Sequence, residues 1–256
     1  MTALVETKGV SKHYGAFRAL DDVTVSVADG EFVSIVGPNG AGKTTLVNLL
    51  TGLLVPTKGE VRFKGHNIAG VGPVALAERG MARAFQLVQI FPQLTVAETI
   101  AAAVVTHQGK QWRLFSRLSQ DAEIAARVEE IARIFGLQHR LHTVSRLLSQ
   151  GEKKLLDVAS AFALKPEVIL LDEPTSGVST AEKHGVMKTL IAAAGAAGVK
   201  AIILVEHDMD LVASYSQRII ALSEGRVLAD LPPGPFFADP VIIETVVGKR
   251  RGSHAC

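Results

Sequence analysis

The sequence predicts an α/β fold interrupted by a helical insert, and three observations carry that prediction. Residues 32–36, 168–171 and 201–205 are mostly apolar runs of strand length, as expected for strands buried on both faces. Residues 23–27, Val-Thr-Val-Ser-Val, alternate apolar and polar, the period-2 sign of a half-exposed strand. Between residues 90 and 150 the pattern becomes helical, with Ile124, Val128, Ile131 and Phe135 on one stripe. Strand-rich sequence thus comes first, a helical segment occupies the middle, and buried strands return after residue 165.

Composition bounds the possibilities. A chain of 256 residues with 48% hydrophobic and 20% charged residues can bury a sizeable core, which excludes disorder as its main state. Its longest apolar runs, such as residues 101–105 and 201–205, fall far short of the roughly 20 residues that a membrane span requires. The first residues show no basic region followed by an apolar core, so no secretory signal is expected. The 27 basic and 25 acidic residues nearly balance, which argues against nucleic acid as a partner. Lys249, Arg250 and Arg251 form the one basic cluster and read as part of a flexible, solvated tail over 249–256. The single cysteine, Cys256, allows neither an internal disulfide nor a cysteine-based metal site, and points to a reducing, cytosolic setting.

The strongest local signal is Gly37-Pro38-Asn39-Gly40-Ala41-Gly42-Lys43-Thr44, which fits the phosphate-binding pattern G-x-x-x-x-G-K-[ST]. It follows the buried run at 32–36 and precedes an apolar helix that begins near Thr45, the context such a loop needs. Glycine lets the backbone curl until successive N–H groups face one phosphate cluster, and the helix directs its positive end to the same point. Lys43 would neutralise the β- and γ-phosphates, and the Thr44 hydroxyl would ligate Mg²⁺. A second acidic partner for the ion stands at the end of the run at 168–171, where Asp172 and Glu173 follow four aliphatic residues. Ligands of α/β sheets gather at that end of the strands. Asp172 would hold the metal and Glu173 would polarise the attacking water. No Asn-Lys-x-Asp stretch occurs, which argues against a GTPase.

With these residues in place, the sequence resembles the nucleotide-binding subunit of an ABC transporter over nearly its whole length. Leu148-Ser149-Gln150-Gly151-Glu152 stands where that family carries Leu-Ser-Gly-Gly-Gln; Ser149 and Gly151 match, whereas Gln150 and Glu152 depart. A serine and a glycine opening a helix form a capped N-terminus with amides able to receive an anion. The resemblance implies that this segment completes the γ-phosphate site of an opposing ATPase subunit, identical or paralogous. It also implies that Gln86 touches magnesium and senses a membrane partner, that His207 contacts the γ-phosphate and Glu173, and that Tyr14 stacks on adenine. The nucleotide contacts it implies are Tyr14, the nine residues from Gly37 to Thr45 and the four from Ser149 to Glu152. Glu173, His207 and Gln86 are the implied catalytic set, and Thr44, Gln86 and Asp172 the implied magnesium set. After Glu173 the family often has an aspartate at the dimer seam; Ser176-Gly177-Val178-Ser179 stands there instead.

The implied fold is a P-loop NTPase core of mixed sheet with an antiparallel β subdomain and a helical subdomain. The core is expected over about 1–88 and 160–248, the helical subdomain over about 89–159. The stretch from Arg83 to Ile100 and the ending from Asp239 to Gly248 look like importers of branched-chain amino acids and related amides. Extra helical sequence over 106–120, with Trp112 and Phe115, resembles the longer of their two ATPase subunits. Two polytopic permease subunits, a second ATPase subunit and, indirectly, a solute-binding protein are the implied partners, at the cytoplasmic face of a bacterial inner membrane. Lipopolysaccharide-export ATPases and soluble iron–sulfur-assembly ATPases are the alternatives of comparable length.

Overall fold

A computed structural model describes residues 3–84, 91–107 and 121–247. The chain divides into two compact units, one formed by residues up to Leu76 together with those from Ala201 onward, the other by Ala77–Lys200.

The first unit opens with β1 (Ala3–Tyr14), β2 (Phe17–Ala28), β3 (Phe32–Val36), α1 (Lys43–Leu50), β4 (Lys58–Phe63) and β5 (His66–Asn67). Four of these strands form an antiparallel sheet in the order β2-β1-β4-β5. The alternation at 23–27 belongs to β2, where Val23, Val25 and Val27 are buried and Thr24 and Ser26 face water. The buried Thr7 hydroxyl of β1 is satisfied within this pairing: it donates to the Val23 carbonyl at 3.0 Å and accepts the Val25 amide at 2.9 Å.

The chain returns to this unit after residue 200 with β8 (Ala201–Val205), α7 (Met209–Tyr215), β9 (Arg218–Ser223), β10 (Arg226–Leu231), α8 (Pro233–Ala238) and α9 (Pro240–Val247). Here β3 pairs in parallel with β8 on one side and β9 on the other, and β10 closes antiparallel on β9, so the sheet is mixed. Every residue of β3 and of β8 is buried, which explains why both read as apolar or nearly apolar runs, with Ser34 the one polar residue of β3. Phe236 of α8 and Ile242 and Val246 of α9 pack with Ile219 and Ala221 of β9, so the C-terminal helices cover this sheet.

The second unit is mostly helical. After α2 (Pro73–Glu78), which runs through the division, come β6 (Met81–Ala84), α3 (Val96–His107), α4 (Ala122–Ile134), α5 (Gln150–Phe162), β7 (Val168–Asp172) and α6 (Thr180–Ala196). β6 and β7 pair in parallel, with Arg83 opposite Leu170 and Ala84 opposite Leu171. The stripe expected from the sequence lies on α4, where Ile124, Val128 and Ile131 are buried, and Phe135 follows at its end. Phe135 meets Phe162 of α5 edge to face at 5.1 Å, joining two of the helices.

Three helices of this unit start at Ser/Thr-x-x-Glu, two with a reciprocal capping box and one with a variant of it. Thr95 and Glu98 close reciprocally ahead of α3, at 2.7 and 3.2 Å. Ser149 and Glu152 do so ahead of α5, at 2.8 and 3.2 Å. Ahead of α6 the Ser179 hydroxyl instead donates to Glu182 at 2.5 Å. The α5 helix therefore begins at Gln150, directly after its Ser149 cap.

Removing the aromatic joint between α4 and α5 should cost this unit much of its packing. Phe135→Ala is expected to lower stability by about 3–5 kcal/mol, read as a shift of the urea midpoint at unchanged slope.

Candidate functional site

In the first unit the phosphate loop is held at three points by backbone. The Gly225 amide donates to the Ala41 carbonyl at 3.1 Å, and the Asp21 amide donates to the Gly225 carbonyl at 2.9 Å, so β2, the β9–β10 turn and the loop form one ladder. The Ala41 amide turns back to the Pro38 carbonyl at 3.2 Å. This threading leaves no room for side chains at two positions. A Cβ on Gly37, at φ 148°, would stand 2.2 Å from the Leu222 carbonyl oxygen. One on Gly42, at φ 99°, would stand 2.5 Å from the Ala19 carbonyl oxygen. Gly42 also caps α1, so the left-handed turn and the first free helix amides fall together.

Lys43 lies 7% exposed, with its ammonium folded over the loop. It donates to the Gly37 carbonyl at 2.6 Å and to the Pro38 carbonyl at 3.0 Å. A buried cation clasped to two loop carbonyls is poised to exchange them for phosphate oxygens. Beside it Thr44 is exposed and Thr45 partly buried; Asn39 and Gly40 are exposed at the loop's crest. Tyr14, at the end of β1, is 48% exposed, with the Lys12 ammonium 5.4 Å from its ring centre. His207 follows β8 on the surface, where its amide donates to the Glu206 carboxylate at 3.1 Å.

In the second unit Asp172 ends β7, and Arg83 of the neighbouring β6 donates to its Oδ2. Glu173 comes next with φ 49°, a left-handed conformation unusual outside glycine. Its carbonyl accepts the Ser176 amide at 3.0 Å and the Lys154 ammonium of α5 at 3.4 Å. At the start of α5, the capping box ties Ser149 to Glu152, and Arg140 donates to the same Glu152 carboxylate at 2.8 Å. The Ser149 amide is the main cause that holds the Glu152 carboxyl below its ordinary value, with Arg140 adding to it. Gln150 is exposed and Gly151 buried, a Cβ there lying 3.6 Å from Val186.

The described residues thus group Tyr14, the loop from Gly37 to Thr45 and His207 in one unit, and Ser149–Glu152, Asp172 and Glu173 in the other. Gln86, Trp112, Phe115 and the basic tail fall outside the described residues. No group of three or more His, Cys, Asp or Glu side chains suited to a metal occurs among the described residues. Each unit by itself offers a hard oxygen donor of the kind magnesium takes, the Thr44 hydroxyl in one and the Asp172 carboxylate in the other.

Known proteins match the chain along most of its length. The family model described as ABC transporter matches residues 20–176. The high-affinity branched-chain amino acid transport ATP-binding protein BraF of Pseudomonas aeruginosa is 32% identical over 96% of this chain and 98% of its own. The chain belongs to the ABC transporter family. LivG of Escherichia coli, of the same description, is likewise 32% identical over 96% of this chain and 98% of its own. Among solved structures, the ADP conformation of MJ1267, an ATP-binding cassette of an ABC transporter, superposes with a TM-score of 0.86 at 28% identity, over 97% of this chain and all of that one. The ATP-binding cassette MJ0796, in a dimeric post-hydrolysis state bound to ADP and Pi, gives 0.74 at 27% identity, over 90% of this chain and 98% of that one.

For an ABC ATPase, three charged side chains stand out that the sequence reading passes over: Arg83, Arg140 and Lys154. Each touches a candidate site residue. Arg83 sits 89 residues before Asp172, so only the pairing of β6 with β7 makes it visible. Arg140 is close enough in sequence to Glu152 that the extra carboxylate of the signature could have prompted a search for a nearby cation.

Gly42→Ala should displace the loop from β2, so nucleotide affinity should fall while the far-UV spectrum stays near wild type. Ser149→Ala should cost about 1 kcal/mol of stability as a lost helix cap. Because the Glu152 carboxyl titrates lower in the folded chain than in the unfolded one, its contribution is complete above the ordinary carboxylate range. It is lost as the pH falls through the folded value. Melting curves of Glu152→Gln should therefore show a shallower acid limb than wild type.

Proposed function

We propose that this chain is the ATP-hydrolysing subunit of an ABC importer for branched-chain amino acids or related small amides, bound peripherally at the cytoplasmic face of the cell membrane. The end-to-end similarity to BraF and LivG is the observation that carries this reading. No helix among the described residues is long and apolar enough to cross a membrane, which fits a subunit that works beside separate permeases. Two permease subunits, a second ATPase subunit and a solute-binding protein acting through the permeases make up the proposed assembly.

In the proposed cycle Tyr14 stacks on adenine, the amides of the Gly37–Thr45 segment receive the phosphates, and Lys43 exchanges loop carbonyls for β- and γ-phosphate oxygens. Thr44, Asp172 and Gln86 would hold magnesium, which when bound would supply charge neutralisation at the phosphates. Glu173 accepts a proton from the attacking water, and His207 orients the γ-phosphate. The Ser149–Glu152 segment faces the nucleotide of the second ATPase subunit. Closure of two such subunits on two ATP molecules would move the permeases, with Gln86 and the helical segment over 89–159 as the transmitting surface, and hydrolysis would reset them.

Glu173→Gln should keep ATP binding and lose hydrolysis by about 10²–10⁴-fold; wild-type turnover in that variant would refute the role given to Glu173. Affinity purification of the tagged chain from gently solubilised membranes should bring down two polytopic subunits and a second ATPase. Recovery of soluble scaffold proteins alone would refute the importer reading, and lipid-export partners would redirect it to an exporter.

A further inference from the structure

The Arg83 side chain is only 10% exposed, so most of it has left water. A buried guanidinium is tolerated where a carboxylate answers it, and Asp172 supplies that carboxylate. The arrangement is fixed by the sheet. β6 and β7 run in parallel with Arg83 opposite Leu170, so the long side chain reaches the carboxylate two positions further along β7. Asp172 itself is 26% exposed and stands at the strand end where the nucleotide chemistry is proposed to occur. The Asp172 side chain is therefore bonded to Arg83 through Oδ2 while remaining partly exposed.

We propose that Arg83 is a positioning residue for magnesium. Its guanidinium, bonded to Oδ2 of Asp172, fixes the carboxylate plane so that Oδ1 serves the cation, and it prevents both oxygens from chelating the ion together. A charge-assisted bond to a planar donor removes the rotation a terminal carboxylate otherwise keeps. Partners of metal-binding carboxylates orient the ligand in this way in metal sites generally. The inference rests on the reading of Asp172 as a magnesium ligand, and it adds a residue that the sequence motif for that site does not contain.

The test is an equilibrium measurement on the full chain in the Glu173→Gln background, where ATP persists. ATP affinity is measured with magnesium and with EDTA, and manganese binding to the ATP complex is followed by electron paramagnetic resonance. Arg83→Met should leave the EDTA affinity unchanged and weaken manganese binding by about 10–100-fold, with a matching loss of the magnesium-dependent gain in ATP affinity. Arg83→Lys keeps the buried charge but loses the planar fork, and should show the same defect to a smaller degree; it decides the question if Arg83→Met does not fold. Equal loss of ATP affinity with and without magnesium in the variant that folds would assign Arg83 a purely structural role and overturn the proposal. So would manganese binding at the wild-type level. Asp172→Asn separates the two failures. If it abolishes the magnesium dependence while both Arg83 variants keep it, only the role of Arg83 falls; if it changes nothing, the metal assignment of Asp172 falls with it.

Discussion

The phosphate loop depends on a short ladder of backbone bonds, from the Asp21 amide through Gly225 to the Ala41 carbonyl, at 2.9 and 3.1 Å. It fastens a loop with little side-chain substance of its own to two strands from opposite ends of the chain. Once the ladder is set, Gly37 and Gly42 are required by space as well as by conformation, because carbonyl oxygens of Leu222 and Ala19 occupy the positions their side chains would fill. The loop is thus held in its shape by backbone alone. Preorganised amides lose little freedom on binding, which favours affinity and correct placement alike.

A different economy governs the second unit, where charges are arranged in advance of the chemistry they serve. Arg83 meets Asp172, Lys154 reaches the carbonyl of Glu173, and Arg140 meets Glu152. Glu173 adds local strain, with a left-handed backbone held by the Ser176 amide. Such strain persists only where surrounding bonds over-determine it, and it is concentrated at functional positions. The departure of the signature at Glu152 also finds a physical reason. The carboxylate closes a capping box, and Arg140 offsets the negative charge it brings to the helix start.

Much of the fold can be read from the sequence because burial on both faces leaves a mostly apolar run, as in β3, β7 and β8. β1 and β6 are less legible for opposite reasons. β1 carries Lys8, Lys12 and other polar residues along twelve positions, with irregular register against β2, so no clean alternation forms. β6 is four residues long, and the charged Arg83 stands inside it. The phosphate loop is legible because its chemistry is contiguous. The bond between Arg83 and Asp172 is not, since strand pairing alone brings them together. Glu152 and its cap are written locally as Ser-x-x-Glu, whereas the Arg140 contact needs the turn that precedes α5.

The proposed function rests on the loop as a triphosphate cradle with Lys43 at its centre. Titration calorimetry of ATP into the wild type and into Lys43→Ala tests this most directly. Loss of one charge-assisted contact of about 1.5–3 kcal/mol should weaken ATP binding by roughly 10–150-fold with the fold retained by circular dichroism. ATP affinity equal to wild type in Lys43→Ala would contradict it.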